Sequence, residues 1–123
     1  MFIALFNAYI EDSVWVEPHA DTGYKRVVVS KKDFDISADG NYFVNNKEFC
    51  FPKAKKDFGV IRQVALLDDE ENVIGFNSIN PQRFVEKGVW VVFEVGNFTI
   101  DTVEEWIKLW VKKMNYLKEL GKN

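Results

Sequence analysis

A mainly β domain finished by one C-terminal helix is the fold that this sequence predicts, on two observations. The first is a pair of dense apolar runs, Val60 to Leu67 and Asn72 to Ile79, on either side of the acidic tetrad Asp68, Asp69, Glu70 and Glu71. β-Branched and aliphatic residues favour a pleated surface, and four successive carboxylates are best solvated at a turn, so the stretch reads as a β-hairpin. The second is the segment from Val103 to Leu120, whose apolar residues recur at helical spacing. With 123 residues, 47% hydrophobic and 15% aromatic, the chain has room for one domain and enough apolar side chains for a core of two packed layers.

The elements follow in chain order. Phe2 to Phe6 is apolar at consecutive positions, which suits a strand covered on both faces or an N-terminal strand buried between subunits. The opening ten residues lack a basic n-region and a small-residue cleavage site and are too short to span a bilayer, so the expectation is a chain made and kept in the cytosol, without a membrane partner. Val14, Trp15 and Val16 form a second short β-like run, closed by Glu17 and Pro18. Residues His19 to Gly23 read as a loop. His19, the single histidine, has no metal-ligand partner at a recognisable spacing and no Ser or Cys placed for activation, so it is expected in solvent.

Tyr24 to Val29 is predicted as a strand with Lys25 and Arg26 as rim charges. Between Ser30 and Asn46 short strands are expected to turn at residues Ala38 to Asn41, anchored by Phe34, Ile36, Tyr42 and Phe43. Phe49, Cys50 and Phe51 feed into the hairpin as a strand stopped by Pro52, with Cys50 as a small buried hydrophobe. Asn80 and Pro81 are expected to end the hairpin's second strand. Beyond them Val89, Val91, Phe93 and Val95 alternate with Trp90, Val92 and Glu94, which puts the first set in the core. Gly88 and the pair Gly96 and Asn97 bracket that strand, and Phe98 to Ile100 forms the last one.

The helix is predicted over residues 102–121. Asp101 or Thr102 caps it, Glu104 or Glu105 completes a capping box, and Gly121 stops it. Val103, Trp106, Ile107, Trp110, Val111, Met114 and Leu117 share one face. A second ridge of Leu109, Tyr116 and Leu120, set apart by Lys113, widens the apolar arc to about 220°. One sheet cannot cover so wide an arc, and Leu109, Lys113, Tyr116 and Leu120 are therefore the predicted interface with another subunit or protein.

The composition narrows the function classes. A net charge of −3 and only three lysines at the loop of Lys53, Lys55 and Lys56 give no basic face, so no nucleic-acid partner is expected. The acidic tetrad lacks the alternating ligand order and closing glutamate of a calcium loop, and no metal or other cofactor is expected. Adjacent carboxylates at a solvated tip do not acquire separated pKa values, so no catalytic residue is assigned and the protein is read as a non-enzyme.

The order of motifs resembles a family of small bacteriophage virion proteins, described as tail-fibre-like or minor structural proteins. The resemblance rests on Ile3 to Phe6, Gly23 to Val29, Asn45, Phe51 to Ala54 with Asp57 to Ile61, and Val64 to Asp68. It continues through Ile79 to Pro81, Val85 with Lys87 and Gly88, Val92 with Phe93, and Gly96 to Ile100. It covers about the first 100 residues. Phe58 stands where the family often has Trp, and the helix at 102–121 is an addition to the family pattern. The resemblance implies an antiparallel, jelly-roll-like β-sandwich over residues 1–101. It further implies a structural part of the tail, neck or head of a virion, assembled in the bacterial host cytoplasm. Its partners would be other virion proteins and copies of itself, a trimer being one arrangement. The alternative function is a receptor- or carbohydrate-binding module of a tail fibre, with Trp15 and Tyr24 as the aromatic handles.

Overall fold

A strand with no polar residue on either side has to sit inside a sheet and be covered twice, and Phe2–Phe6 (β1) does so. The computed structural model describes residues 1–101, the Asn80 side chain excepted. The other strands are Val27–Val28 (β2), Phe34–Ile36 (β3), Tyr42–Asn45 (β4), Phe49–Cys50 (β5), Gly59–Leu67 (β6), Val73–Val85 (β7), Val92–Phe93 (β8) and Thr99–Asp101 (β9). They form three antiparallel sheets of order β2-β1-β6-β7, β3-β4-β9 and β5-β8. The fold of the described residues is thus mainly β and antiparallel, as the sequence predicts. The predicted helix at 102–121, with Leu109, Lys113, Tyr116 and Leu120, lies outside them.

The predicted hairpin is β6 and β7, with Ala65 opposite Phe76. Its turn is organised by Asp68, whose Oδ1 accepts hydrogen bonds from the main-chain N–H groups of Glu70 and Asn72 at 2.9 and 2.8 Å. An aspartate bonded to main chain two residues on is the usual local device for reversing direction. Pro81 does not end β7. The register jumps from Ile61 opposite Arg83 to Gln63 opposite Ser78, so the proline sits in a bulge and the strand resumes to Val85. A proline is tolerated there because no ladder bond needs its missing N–H.

Two apolar clusters divide on the faces of the four-stranded sheet. Ile3, Leu5, Val64 and Leu66 join Phe34, Phe43, Phe49, Phe51, Phe98 and Ile100 from the other sheets, while Ala4, Phe6, Ala65 and Leu67 form a second cluster with Ile10 and Phe76 against it. The alternate residues of β1 and β6 therefore serve opposite faces, as the period of two requires. Within the larger cluster Phe34, Phe49 and Phe98 meet with ring centroids 5.4 to 6.1 Å apart in tilted or edge arrangements, the geometry that aromatic quadrupoles favour.

The sheets are joined at two close approaches. Gly75 in β7 lies under β9, where an added Cβ would stand 2.6 Å from the Asp101 carbonyl oxygen. Asn45, buried at the end of β4, gives its Nδ2 hydrogens to the carbonyls of Lys47, Glu94 and Phe93 at 2.8, 2.9 and 3.3 Å. Its Oδ1 accepts from the N–H groups of Gly96 and Phe98, both at 3.0 Å. One carboxamide thereby connects β4, the approach to β5, the end of β8 and the start of β9.

Several expectations need correction. Cys50 is exposed, not buried, because Phe49 and Phe51 both face inward and the residue between them must face outward. Val14, Trp15 and Val16 form no strand and are exposed. The strand expected over Tyr24 to Val29 contracts to β2, and that expected around Val89 to Val95 contracts to β8. Val91 is buried and Val89 and Phe93 pack on the core, but Val95, 63% exposed, is outside it. Phe34 and Phe43 anchor the β3–β4 hairpin as expected and Ile36 packs against the same cluster, whereas Tyr42 is exposed.

Phe49→Ala is expected to cost about 3–5 kcal/mol through the cavity it leaves, and Val95→Ser less than about 0.5 kcal/mol, in urea denaturation. Equal midpoints for the two variants would refute the assignment of inward and outward faces. Asn45→Ala should cost about 3 kcal/mol or more, since it takes the side-chain partner from the Lys47 carbonyl and from the buried Phe98 N–H. Asn45→Asp should do no better at neutral pH, because it keeps an acceptor for the two N–H groups but turns a carboxylate toward the carbonyls. A near-neutral Asn45→Asp would show that the Nδ2 bonds contribute little.

Candidate functional site

β1 finds β2 only at Phe2 and Ile3, which leaves its later main-chain groups to find other partners. The N–H of Leu5 donates to the Tyr24 hydroxyl at 3.0 Å, and that hydroxyl donates to Glu17 Oε1 at 2.8 Å. Arg26 grips the same carboxylate with Nε and Nη2 at 2.9 and 2.8 Å, and its Nη1 reaches Glu71 at the hairpin turn at 2.8 Å. Trp15 Nε1 completes the set on Glu17 Oε2 at 3.0 Å. Arg26 is thus no rim charge: a two-point grip on a carboxylate holds a guanidinium at the surface of the core. Burial pulls the Glu17 carboxyl upward, but hydrogen bonds from Arg26, Tyr24 and Trp15 outweigh it, and its pKa ends below the ordinary value of 4.5. Burial holds the Tyr24 hydroxyl far above the usual phenol range, so it acts only as a relay of hydrogen bonds. Tyr24 is buried and is not available as an aromatic handle, unlike Trp15, which is 47% exposed.

Trp15 is one of a group of apolar side chains held at the surface. Val14 and Val16 beside it, Phe84 on β7, and Trp90, Val92 and Val95 around β8 are all exposed. The Trp15 ring is fixed in place: it stands edge-on to Phe6 with centroids 4.9 Å apart and its nitrogen is tied to Glu17. Behind it the loop is tied down by fully buried Gln63, whose Oε1 accepts from the Ile10 N–H at 2.8 Å and whose Nε2 donates to Glu11 at 2.6 Å.

The acidic tip is spread over structural tasks. Asp68 closes the turn, and the Asn72 main-chain N–H, with its carboxamide and the Glu70 N–H, holds its carboxyl below the usual aspartate value. Asp69 pairs with the chain's amino terminus at 2.7 Å and Glu71 with Arg26. Among the described residues no group of three or more His, Cys, Asp or Glu side chains is placed to hold a metal ion. His19 is exposed and lies 2.9 Å from Asp21, which also meets Lys56 at 3.3 Å. No helix of the described residues is long and apolar enough to cross a membrane.

One concave space was not foreseen. A cavity of about 260 Å³ opens among Val64, Asn77, Ile79, Phe93, Asn97 and Thr99. Asn77 stands directly opposite Val64 across the hairpin, on the inward face, and donates to the Thr99 carbonyl at 3.0 Å and to its Oγ1 at 3.4 Å. The signal available in the sequence was a carboxamide at an inward position of an apolar strand.

Because the lowered Glu17 pKa favours the charged, folded form, its contribution is fully present above pH 4.5 and is lost as pH falls through the lower folded-state value. Glu17→Gln should therefore be less stable than the parent at neutral pH, with the gap in urea midpoint closing in acid. A gap that stays constant with pH would mean that the charge on Glu17 is not what stabilises the clasp.

Set beside known proteins, the chain has no significant match among family models, curated proteins or solved structures.

Proposed function

We propose that this chain is a non-enzymatic structural protein of a bacteriophage particle, a tail, neck or head component that works through protein–protein contacts in a symmetric assembly. The observation that carries the reading is the exposed run Val14, Trp15 and Val16, at 46%, 47% and 40% exposure, with the indole fixed by Phe6 and Glu17. A tryptophan already ordered before contact loses little entropy on binding, and such residues carry much of the energy of protein interfaces. Phe84 and Trp90, each 53% exposed, add further anchors. The motif order from Ile3 to Ile100 that resembles small phage virion proteins supplies the biological setting. On this reading the four-stranded sheet and the two smaller sheets face each other across the phenylalanine cluster as a jelly-roll-like sandwich. The segment 102–121 lies outside the described residues, and on the same reading its Leu109, Lys113, Tyr116 and Leu120 would meet a neighbouring subunit. Burial of Tyr24 removes half of the aromatic handle that a receptor-binding reading would use, which favours assembly.

Sedimentation velocity of the full chain tests this. The wild type should form a discrete oligomer, and Leu109→Ser with Tyr116→Ser should reduce it to the protomer while leaving the melting temperature nearly unchanged. A wild type that stays monomeric at high concentration, together with full incorporation of the double variant into particles, would overturn the assembly role.

A further inference from the structure

All three sheets contribute to the cavity: Val64, Asn77 and Ile79 from the four-stranded sheet, Phe93 from β8 and Thr99 from β9, with Asn97 from the turn between them. Among the described residues no charged side chain lines it. An ion would leave its charge uncompensated there, which disfavours ionic ligands. Val64, Ile79, Phe93 and Phe98 provide an apolar floor, and Asn77, Ser78, Asn97 and Thr99 provide the polar groups. Asn77 commits its Nδ2 to Thr99, which fixes its orientation and leaves Oδ1 as an acceptor that takes no bond from a described residue. Thr99 accepts from Asn77 and retains its own hydroxyl hydrogen as a donor. Asn97 is exposed at the rim, with a carboxamide that offers both a donor and an acceptor.

We propose that this cavity binds a neutral, hydroxyl-bearing ring, a single sugar residue in size. An acceptor, a donor and a two-sided amide above an apolar floor match a ring that has a C–H face and hydroxyl groups along its edge. The volume of 260 Å³ is just below the roughly 300–1,000 Å³ of pockets for drug-sized ligands, which limits the ligand to about one ring. Such a site goes beyond the assembly role and uses none of the residues assigned to it.

The test is a titration of the isotope-labelled full chain, followed by NMR, with glucose, galactose and N-acetylglucosamine, and with glucuronate as the charged comparison. One of the neutral sugars should give saturable shifts centred on Asn77, Asn97 and Thr99, with a Kd on the order of 1 mM for so small a ligand. Asn97→Ala, at an exposed position, and isosteric Thr99→Val should each weaken binding about fivefold or more through loss of a hydrogen bond. Non-saturating shifts with every neutral sugar, unchanged affinity in both variants, or equal binding of glucuronate would overturn the proposal. Sedimentation of the same variants should match the wild type, which separates failure here from failure of the assembly role.

Discussion

The carboxamide of Asn45 is the constraint on which the arrangement of the sheets depends. Its five side-chain hydrogen bonds run to Lys47, Phe93, Glu94, Gly96 and Phe98, and its own N–H donates to the Phe98 carbonyl at 3.1 Å. Sheets this small cannot orient one another through ladder bonds: β5 and β8 share only two residue pairs, and β4 and β9 only three. A carboxamide suits the junction because it has two donor hydrogens and an acceptor with two lone pairs, and every one has main chain within reach. No hydroxyl or carboxylate offers that combination. With Asn45 in place, Phe49 and Phe98 are brought against Phe34 and the aromatic cluster closes.

Carboxamides repeat this task elsewhere. Asn7 joins the end of β1 to the entrance of β6, donating to the carbonyls of Phe58 and Val60, both at 2.9 Å. Asn77 binds β7 to β9 through the Thr99 carbonyl. Around the doubly covered pair β1 and β6, junction amides thus do what longer strands do in a larger sheet, and the Glu17 clasp closes the edge that β2 is too short to cover. Buried main-chain groups left without partners would otherwise cost a domain of this size much of its stability.

The readable part of the sequence was the part governed by local pattern. Consecutive apolar residues from Phe2 to Phe6 and the runs flanking the acidic tetrad identify β1, β6 and β7, because β1 and β6 are covered on both faces and the acidic turn returns the chain alongside β6. Asp39 and Gly40 identify the β3–β4 turn by chemistry alone. What was not readable depends on distant partners. Arg26 looks like a surface charge until Glu17 and Glu71 are brought to it, and Pro81 looks like a terminator until the register shows a bulge. Val95 continues the alternation of Val89 and Val91, yet the turn at residues 94–97 has already left the core. The cavity lay furthest from view, since its polar groups come from segments about twenty residues apart that meet only when the sheets assemble.

The edges of the sheets decide which kind of contact the surface can offer. β2 and β3, at outer positions, have two and three residues, too few to template an added strand. Among the described residues the one long outer strand, β7, is interrupted by the bulge that holds Pro81. A proline in the edge breaks the row of N–H groups that another chain would need. Strand addition is therefore disfavoured at each of these edges, and a partner of the kind proposed would meet side chains such as Trp15, Phe84 and Trp90. Contacts of that kind depend on the rigidity of what lies beneath them. At Trp15 the bond that its indole N–H donates to Glu17 supplies it, and the Ile10 N–H donating to Gln63 does so for the neighbouring loop, so interactions that complete the fold also fix this part of the surface.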